Sequence, residues 1–167
     1  MQDKINQLRT LAVGPQALFI GGTWQAAASG ATMDVISPID GSRLTTIADA
    51  GAADVDRAVA AARAAFDKGS WSKAAPAERK KILLKIADLI EKNELELAVL
   101  GVRDNGTEIA MALKAEPGSA AATFRYYAEA IDKIYGEIAP TADNVLGLVH
   151  REPVGVVAAI VPWNFPM

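Results

Sequence analysis

The end of the sequence constrains the fold most strongly. Residues 154–161 form a continuous apolar run rich in β-branched side chains, which stops at Pro162-Trp163-Asn164-Phe165-Pro166. A run of this length, bounded by turn residues, predicts a strand that is buried on both faces, as in a parallel α/β sheet. Ligands bind just past the carboxyl ends of such strands, so Asn164 is a candidate functional residue. No further strand follows, and the sequence therefore predicts an incomplete α/β fold.

Composition excludes several classes of function. The 17 basic and 20 acidic residues give a net charge of −3 without any basic cluster, so we expect no nucleic-acid partner. The absence of cysteine excludes disulfides, cysteine zinc sites and a thiol nucleophile within these residues, and a single histidine, His150, makes a histidine metal site or catalytic triad hard to build. The opening residues lack the features of a secretory signal, and no run approaches the roughly 18 apolar residues of a membrane span. We expect a cytoplasmic chain without a membrane partner.

Strand patterns at the start of the chain give way to helix patterns after residue 48. Residues 1–17 predict an N-terminal arm or short helix, followed by antiparallel strands over 18–20, 24–26, 33–38 and 43–48. Helical spacing then predicts a series of helices, with packing roles for Met111 and the Tyr126-Tyr127 pair. The predicted helices begin at an Asp54 N-cap and stop at Gly69, run from Pro76 to Asn93, and continue over 94–104, 107–114 and 119–135.

The last part of the chain predicts a hairpin before the terminal strand. Strand-forming residues on either side of the polar tip 141–144 favour an antiparallel hairpin within residues 136–152. His150 lies on this hairpin and is interpreted as a surface residue. Residues 153–167 then carry the terminal strand and its proline-bounded turn.

The terminal motif resembles the NAD(P)-dependent aldehyde dehydrogenase superfamily. Residues 151–157 and 160–166 carry this resemblance, and motifs in the family's order extend it over residues 19–167. Residues 127–137 are similar to the branch that oxidises γ-glutamyl-γ-aminobutyraldehyde and related amino-aldehydes. One departure is that Thr107 follows Gly106, where family members often have lysine. The other matching segments are Phe19–Trp24, Ser37-Pro38 with Gly41, Asp54–Val59, Ala61–Phe66, Ala87–Ile90 and Asp104–Gly106.

The resemblance implies a fold and a division of the chain. It implies the N-terminal part of an aldehyde dehydrogenase fold, in which a β-meander and a helical block over 18–135 belong to the cofactor-binding domain. Residues 136–152 would form the oligomerisation hairpin, and 153–167 the first strand of a Rossmann-like parallel sheet. A homo-oligomer formed through the hairpin and the terminal strand is the expected assembly.

The resemblance also implies roles for particular residues. Asn164 would donate its amide hydrogen to the oxyanion that forms when a thiolate attacks the aldehyde, and the alternative is an ordinary turn asparagine. NAD or NADP would lie against Ile160, Val161, Pro162 and Trp163 in the complete enzyme. A monovalent cation would bind the Ile36 carbonyl and the Asp104 carboxylate, although Asp104-Asn105-Gly106 is also a good helix stop.

The functional expectation follows from these roles. The complete enzyme would oxidise an aldehyde to a carboxylic acid through a cysteine thiohemiacetal. These 167 residues contain no counterpart of the family's cysteine nucleophile or glutamate base, so we expect no activity and no bound cofactor from them alone. The alternative is a non-catalytic interaction or oligomerisation module that associates with full-length dehydrogenase subunits.

Overall fold

The computed structural model describes residues 1–164 and 167, so Phe165 and Pro166 of the terminal motif lie outside the described residues. The described residues form three antiparallel hairpins and a block of helices. The strands are β1 (Leu18–Ile20), β2 (Thr23–Gln25), β3 (Thr32–Ile36), β4 (Arg43–Ala48), β5 (Glu137–Ala139) and β6 (Gly147–Val149). The helices are α1 (Gln2–Thr10), α2 (Ala52–Lys68), α3 (Ser70–Lys73), α4 (Pro76–Lys92), α5 (Glu94–Asn105), α6 (Ile109–Ala115) and α7 (Pro117–Ala130).

The predicted antiparallel start of the chain is confirmed. The β1–β2 turn uses Gly21 and Gly22, whose positive φ angles of 62° and 83° favour glycine. In the β3–β4 hairpin the register shifts between Val35 and Ile36, which marks a β-bulge. Gln16 extends this hairpin, because its backbone N–H donates to Thr46 O at 2.8 Å.

Most predicted helix ends are confirmed. Pro76 occupies the first turn of α4, Gly69 ends α2, and Gly106 ends α5 in the left-handed conformation with φ 78°. The predicted N-cap of α2 is wrong: Gly51 is the N-cap, and Asp54 lies three residues later. The Asp54 carboxylate accepts the N–H of Gly51 at 3.0 Å, which is the reciprocal half of a capping box.

Three helices differ from the sequence prediction. Helix α6 begins at Ile109 rather than at residue 107. Helix α3 was not predicted, because Ser70–Lys73 is too short to show periodicity. Helix α7 begins at Pro117 rather than at residue 119, since proline favours the first helical position. It also ends at Ala130, where Lys133 N–H donates to Ala130 O and closes a turn before the predicted end at 135.

The core of the helical block is built from small residues. Ala87 of α4 and Ala121 and Ala128 of α7 are fully buried, and α4 packs along α7. In α5, Ala98 and Val99 are also buried. Small side chains let helix axes approach closely, so the alanine-rich composition produces tight helix packing rather than a core of large side chains.

Several apolar residues that were predicted to be buried are exposed. No strand is assigned to residues 154–161 within the described chain; Val154 is 89% exposed and Ile160 is 100% exposed. A parallel strand needs a neighbour for its hydrogen bonds, and no described segment pairs with this one. Met111, Tyr126 and Tyr127 likewise lie outside the core, although the two tyrosine rings pack edge to face against each other. None of the helices in the described part of the chain is long and apolar enough to cross a membrane.

Candidate functional site

The terminal segment presents the candidate cofactor and catalytic residues together on the surface. Ile160 to Trp163 are consecutive, and Asn164 follows them in a turn. Val161 is 71% exposed and Trp163 is 83% exposed, and Asn164 is exposed as well. The segment therefore exposes apolar side chains and one neutral amide donor.

The helical block holds the start of this segment. Residues 153–157 line a cleft of about 420 Å³ together with Phe66, Trp71 and Arg79. Gly155 has a φ of 106°, which favours glycine, and a Cβ added to it would lie 3.4 Å from the guanidinium of Arg63. The start of the exposed segment therefore lies next to α2, α3 and α4.

The two residues of the candidate cation site lie on neighbouring elements. Ile36 ends β3 and Asp104 belongs to the last turn of α5. Pro38, two residues after Ile36, lies close to Gly106, because its Cγ would be only 3.2 Å from a Cβ added to that glycine. Within residues 1–164 and 167, no group of three or more His, Cys, Asp or Glu side chains could hold a metal ion. A cation at this junction would therefore need backbone oxygens, such as the carbonyl expected from Ile36.

The buried carboxylate of Asp54 joins the segment after the first hairpin to α2, a role that the sequence analysis did not predict. Asp54 is 2% exposed and accepts the backbone N–H of Ala28 at 2.9 Å, besides that of Gly51. Arg57 also pairs with this carboxylate and donates to Gln25 at 2.8 Å. The Gly51 hydrogen bond, followed by the Arg57 hydrogen bond, lowers the pKa of Asp54 below its ordinary value. A capping box from Gly51 to Asp54 could have been predicted from the sequence, and it would have given the Gly51 hydrogen bond but not the one from Ala28.

The hairpin near the end of the chain exposes an apolar face. Strands β5 and β6 pair through Glu137–Val149, Ile138–Leu148 and Ala139–Gly147. Ile138 is 73% exposed and Leu148 is 69% exposed. Arg151 fixes the base of the hairpin by donating to Tyr135 O at 2.9 Å and to the Glu137 carboxylate at 2.8 Å. His150 lies on the surface, with Nδ1 3.4 Å from a Glu152 carboxylate oxygen.

Most of the sequence matches one known protein family. The model described as "Aldehyde dehydrogenase family" matches residues 24–167. The NADP/NAD-dependent aldehyde dehydrogenase PuuC of Escherichia coli K12 is 48% identical over 150 residues, which are 90% of this chain and 30% of that protein. The aminoacetaldehyde dehydrogenase of Pseudomonas aeruginosa is 43% identical over 153 residues, which are 92% of this chain and 31% of that protein.

Solved structures show the same relationship. The γ-glutamyl-γ-aminobutyraldehyde dehydrogenase of Burkholderia cenocepacia superposes with a TM-score of 0.92 at 46% identity, over 99% of this chain and 33% of that chain. An indole-3-acetaldehyde dehydrogenase in complex with NAD+ gives a TM-score of 0.92 at 49% identity over the same shares. The chain thus spans about a third of the length of the relatives it matches.

Proposed function

The chain belongs to the aldehyde dehydrogenase family, and we propose that its residues form the N-terminal part of an NAD(P)-dependent enzyme that oxidises an aldehyde to a carboxylic acid. The exposed segment from Ile160 to Asn164 carries this proposal, because it joins an apolar surface to a single amide donor. Two of the relatives are named for amino-aldehydes, which favours an amino-aldehyde as substrate.

Asn164 supplies the charge stabilisation in this proposal. When a thiolate attacks an aldehyde, negative charge develops on the former carbonyl oxygen. The Asn164 amide donates a hydrogen bond to that oxygen, and it does so at any pH because the amide does not titrate. Removing one such donor from an enzyme typically raises the barrier by roughly 3–4 kcal/mol.

The residues before Asn164 fit a dinucleotide. Bound NAD or NADP supplies the hydride acceptor for the oxidation. The apolar side chains of Ile160, Val161 and Trp163 are exposed and can cover an adenosine ring, while Pro162 fixes the backbone direction of the turn between them. This chain's contribution is therefore binding and orientation of the cofactor.

A monovalent cation at the junction of β3 and α5 is the structural part of the proposal. The carbonyl of Ile36 and the carboxylate of Asp104 are hard oxygen ligands, and the Pro38–Gly106 contact holds their elements together. Such a cation would stabilise the bulged end of β3 against the last turn of α5.

We further propose that these 167 residues alone do not oxidise aldehydes. They contain no cysteine, so they supply no thiolate for the attack that Asn164 assists. Purified chain mixed with NAD or NADP and an amino-aldehyde should give no absorbance at 340 nm above a blank without protein. Reduction of the cofactor above that blank would refute the proposal.

The role of Asn164 is tested in the complete enzyme. We expect Asn164→Ala to lower kcat by about 100- to 1000-fold, because the oxyanion loses its donor. The matched control is Asn144→Ala, which removes an exposed asparagine from the hairpin tip and should leave kcat unchanged. A fall of less than threefold for Asn164→Ala would contradict the assignment.

The exposed hairpin favours a second function, association with dehydrogenase subunits. Ile138 and Leu148 form an apolar cross-strand pair that no described residue covers. The chain should then co-purify with an untagged, full-length dehydrogenase of the same family, and Ile138→Lys with Leu148→Lys should abolish this association. A chain that stays monomeric and does not bind the full-length dehydrogenase would argue against this second function.

A further inference from the structure

A second buried carboxylate lies where α6 ends and α7 begins. Glu116 is 2% exposed, as Asp54 is. Within the described residues, neither Glu116 oxygen accepts a hydrogen bond, although both are buried. A buried carboxylate without a partner is strongly unfavourable, and buried polar atoms in folded proteins are almost always hydrogen-bonded to protein or to water.

The neighbouring helix makes room for this carboxylate. Gly101 lies within α5, where glycine is less favourable than alanine. A Cβ added to Gly101 would lie 3.1 Å from Glu116 Oε2, which is closer than most side-chain contacts allow. The glycine and the buried glutamate therefore break two local preferences at the same point, which indicates a specific arrangement rather than chance.

A buried donor lies one helical turn from Gly101. Asn105 follows Gly101 by four residues, so both lie on the same face of α5, with neighbouring Cβ positions about 5–6 Å apart. Glu116 Oε2 approaches the Gly101 position, so the carboxylate lies near the face of α5 that Asn105 shares. Asn105 Oδ1 accepts the N–H of Thr107 at 2.8 Å, and its Nδ2 has no acceptor among the described residues although it is buried.

We propose that Asn105 Nδ2 and the Glu116 carboxylate bind one internal water molecule between them. The water accepts a hydrogen bond from Asn105 and donates its own hydrogens to Glu116, which satisfies the donor and the acceptors together. A metal cation does not fit this arrangement, because Asn105 Oδ1 already accepts the Thr107 N–H and the unpartnered Asn105 group is a donor, which a cation cannot accept.

This water site forms a clasp around α6. Asn105 and Glu116 bracket residues 106–115, so a water between them closes that segment onto α5 and α7. The clasp does not depend on the proposed catalytic role of Asn164, and it concerns residues away from the terminal segment. Its consequence is that α6 should resist local opening although it has only seven residues.

A donor–acceptor exchange in the intact protein tests the clasp. Asn105→Asp keeps the oxygen that accepts from Thr107 but replaces the amide donor by a second carboxylate oxygen. We expect a melting temperature lower by at least about 5 °C, because two like charges then face one buried water. Adding Glu116→Gln replaces one of the two carboxylates by a neutral amide that can donate to the water. The double variant should therefore regain most of the lost melting temperature.

The control uses another asparagine at a helix end. Asn93 donates from Nδ2 to Leu89 O at 2.7 Å at the end of α4. Asn93→Asp should also lower the melting temperature, but Glu116→Gln should not restore it. Additive effects of Asn105→Asp and Glu116→Gln, like those expected for the control pair, would overturn the proposal.

A crystal structure of the unmodified protein decides the matter even if Asn105→Asp fails to fold. We expect one ordered water at about 2.7–3.2 Å from both Asn105 Nδ2 and a Glu116 carboxylate oxygen. A direct contact between the two side chains, or a salt bridge from any other residue to Glu116, would overturn the proposal.

Discussion

The helical block and the terminal segment are both apolar, but they use their apolar residues in opposite ways. In α4 and α7 the alanines at 87, 121 and 128 are fully buried against each other. In the terminal segment Val154, Ile160 and Trp163 are exposed by 83% or more. The first region buries its apolar side chains against each other, whereas the second leaves its apolar side chains exposed.

The difference teaches that hydrophobicity predicts burial only where a partner is present. Helices satisfy their backbone hydrogen bonds internally, so α4 and α7 need only each other for packing. A strand needs an adjacent strand for the same purpose, and none of the described segments pairs with residues 154–161. The two regions should therefore respond differently to the same substitution.

The largest difference is expected for added volume. In these 167 residues expressed alone, Ala128→Leu should lower the free energy of unfolding by roughly 1–3 kcal/mol, because α7 has no space for three more carbons beside α4. The matched Ala158→Leu lies in the exposed terminal segment and should change it by less than about 0.5 kcal/mol. Urea denaturation followed by circular dichroism measures both values. Equal effects would show that the terminal segment is packed after all.

Sequence reasoning succeeded where a single residue dictates the local geometry. Gly106 in the left-handed conformation and Pro76 in the first turn mark helix ends that require no tertiary context. It failed at Asp54, because a carboxylate can serve either as N-cap or as the third residue of a capping box. The choice depends on Ala28, which is remote in sequence.

The candidate site was predictable only in part. The motif from Ile160 to Asn164 and the pairing of Ile36 with Asp104 came from resemblance to a family, and both stay predictions. Burial was mispredicted at residues 154–161, because periodicity cannot report whether a neighbouring strand exists. The Glu116–Asn105 pair was not predicted, since two polar residues eleven positions apart carry no local signal.

A smaller difference concerns association between chains. The exposed apolar side chains of the terminal segment should cause these 167 residues to self-associate as their concentration rises. Val157→Asp combined with Ile160→Asp should reduce the apparent mass in light scattering toward that of the monomer. The half-exposed Val59 of α2 provides the control, and Val59→Asp should leave the association unchanged. An unaltered apparent mass for the double variant would move the association surface elsewhere.

The smallest difference is the response to acid. Residues 153–167 contain no ionisable side chain, so acid cannot act on them through a side chain, whereas the block contains Asp54. The hydrogen bonds from Gly51 and Arg57 lower the pKa of Asp54 in the folded chain below the ordinary value of 3.8, while the unfolded chain retains that value. The stabilisation is therefore complete above the unfolded pKa and is lost as the pH falls through the folded pKa.

The measurement is the midpoint of urea denaturation between pH 6 and pH 2. We expect it to be level down to about pH 5 and then to fall as Asp54 takes up a proton. Asp54→Asn should flatten this fall, because asparagine keeps an acceptor for Ala28 N–H but does not titrate. Asp40 also has a lowered pKa, from its Ser42 hydrogen bonds, so Asp40→Asn serves as the exposed counterpart and should flatten the fall less. If both variants gave the same profile as the parent chain, acid would be acting through other carboxylates.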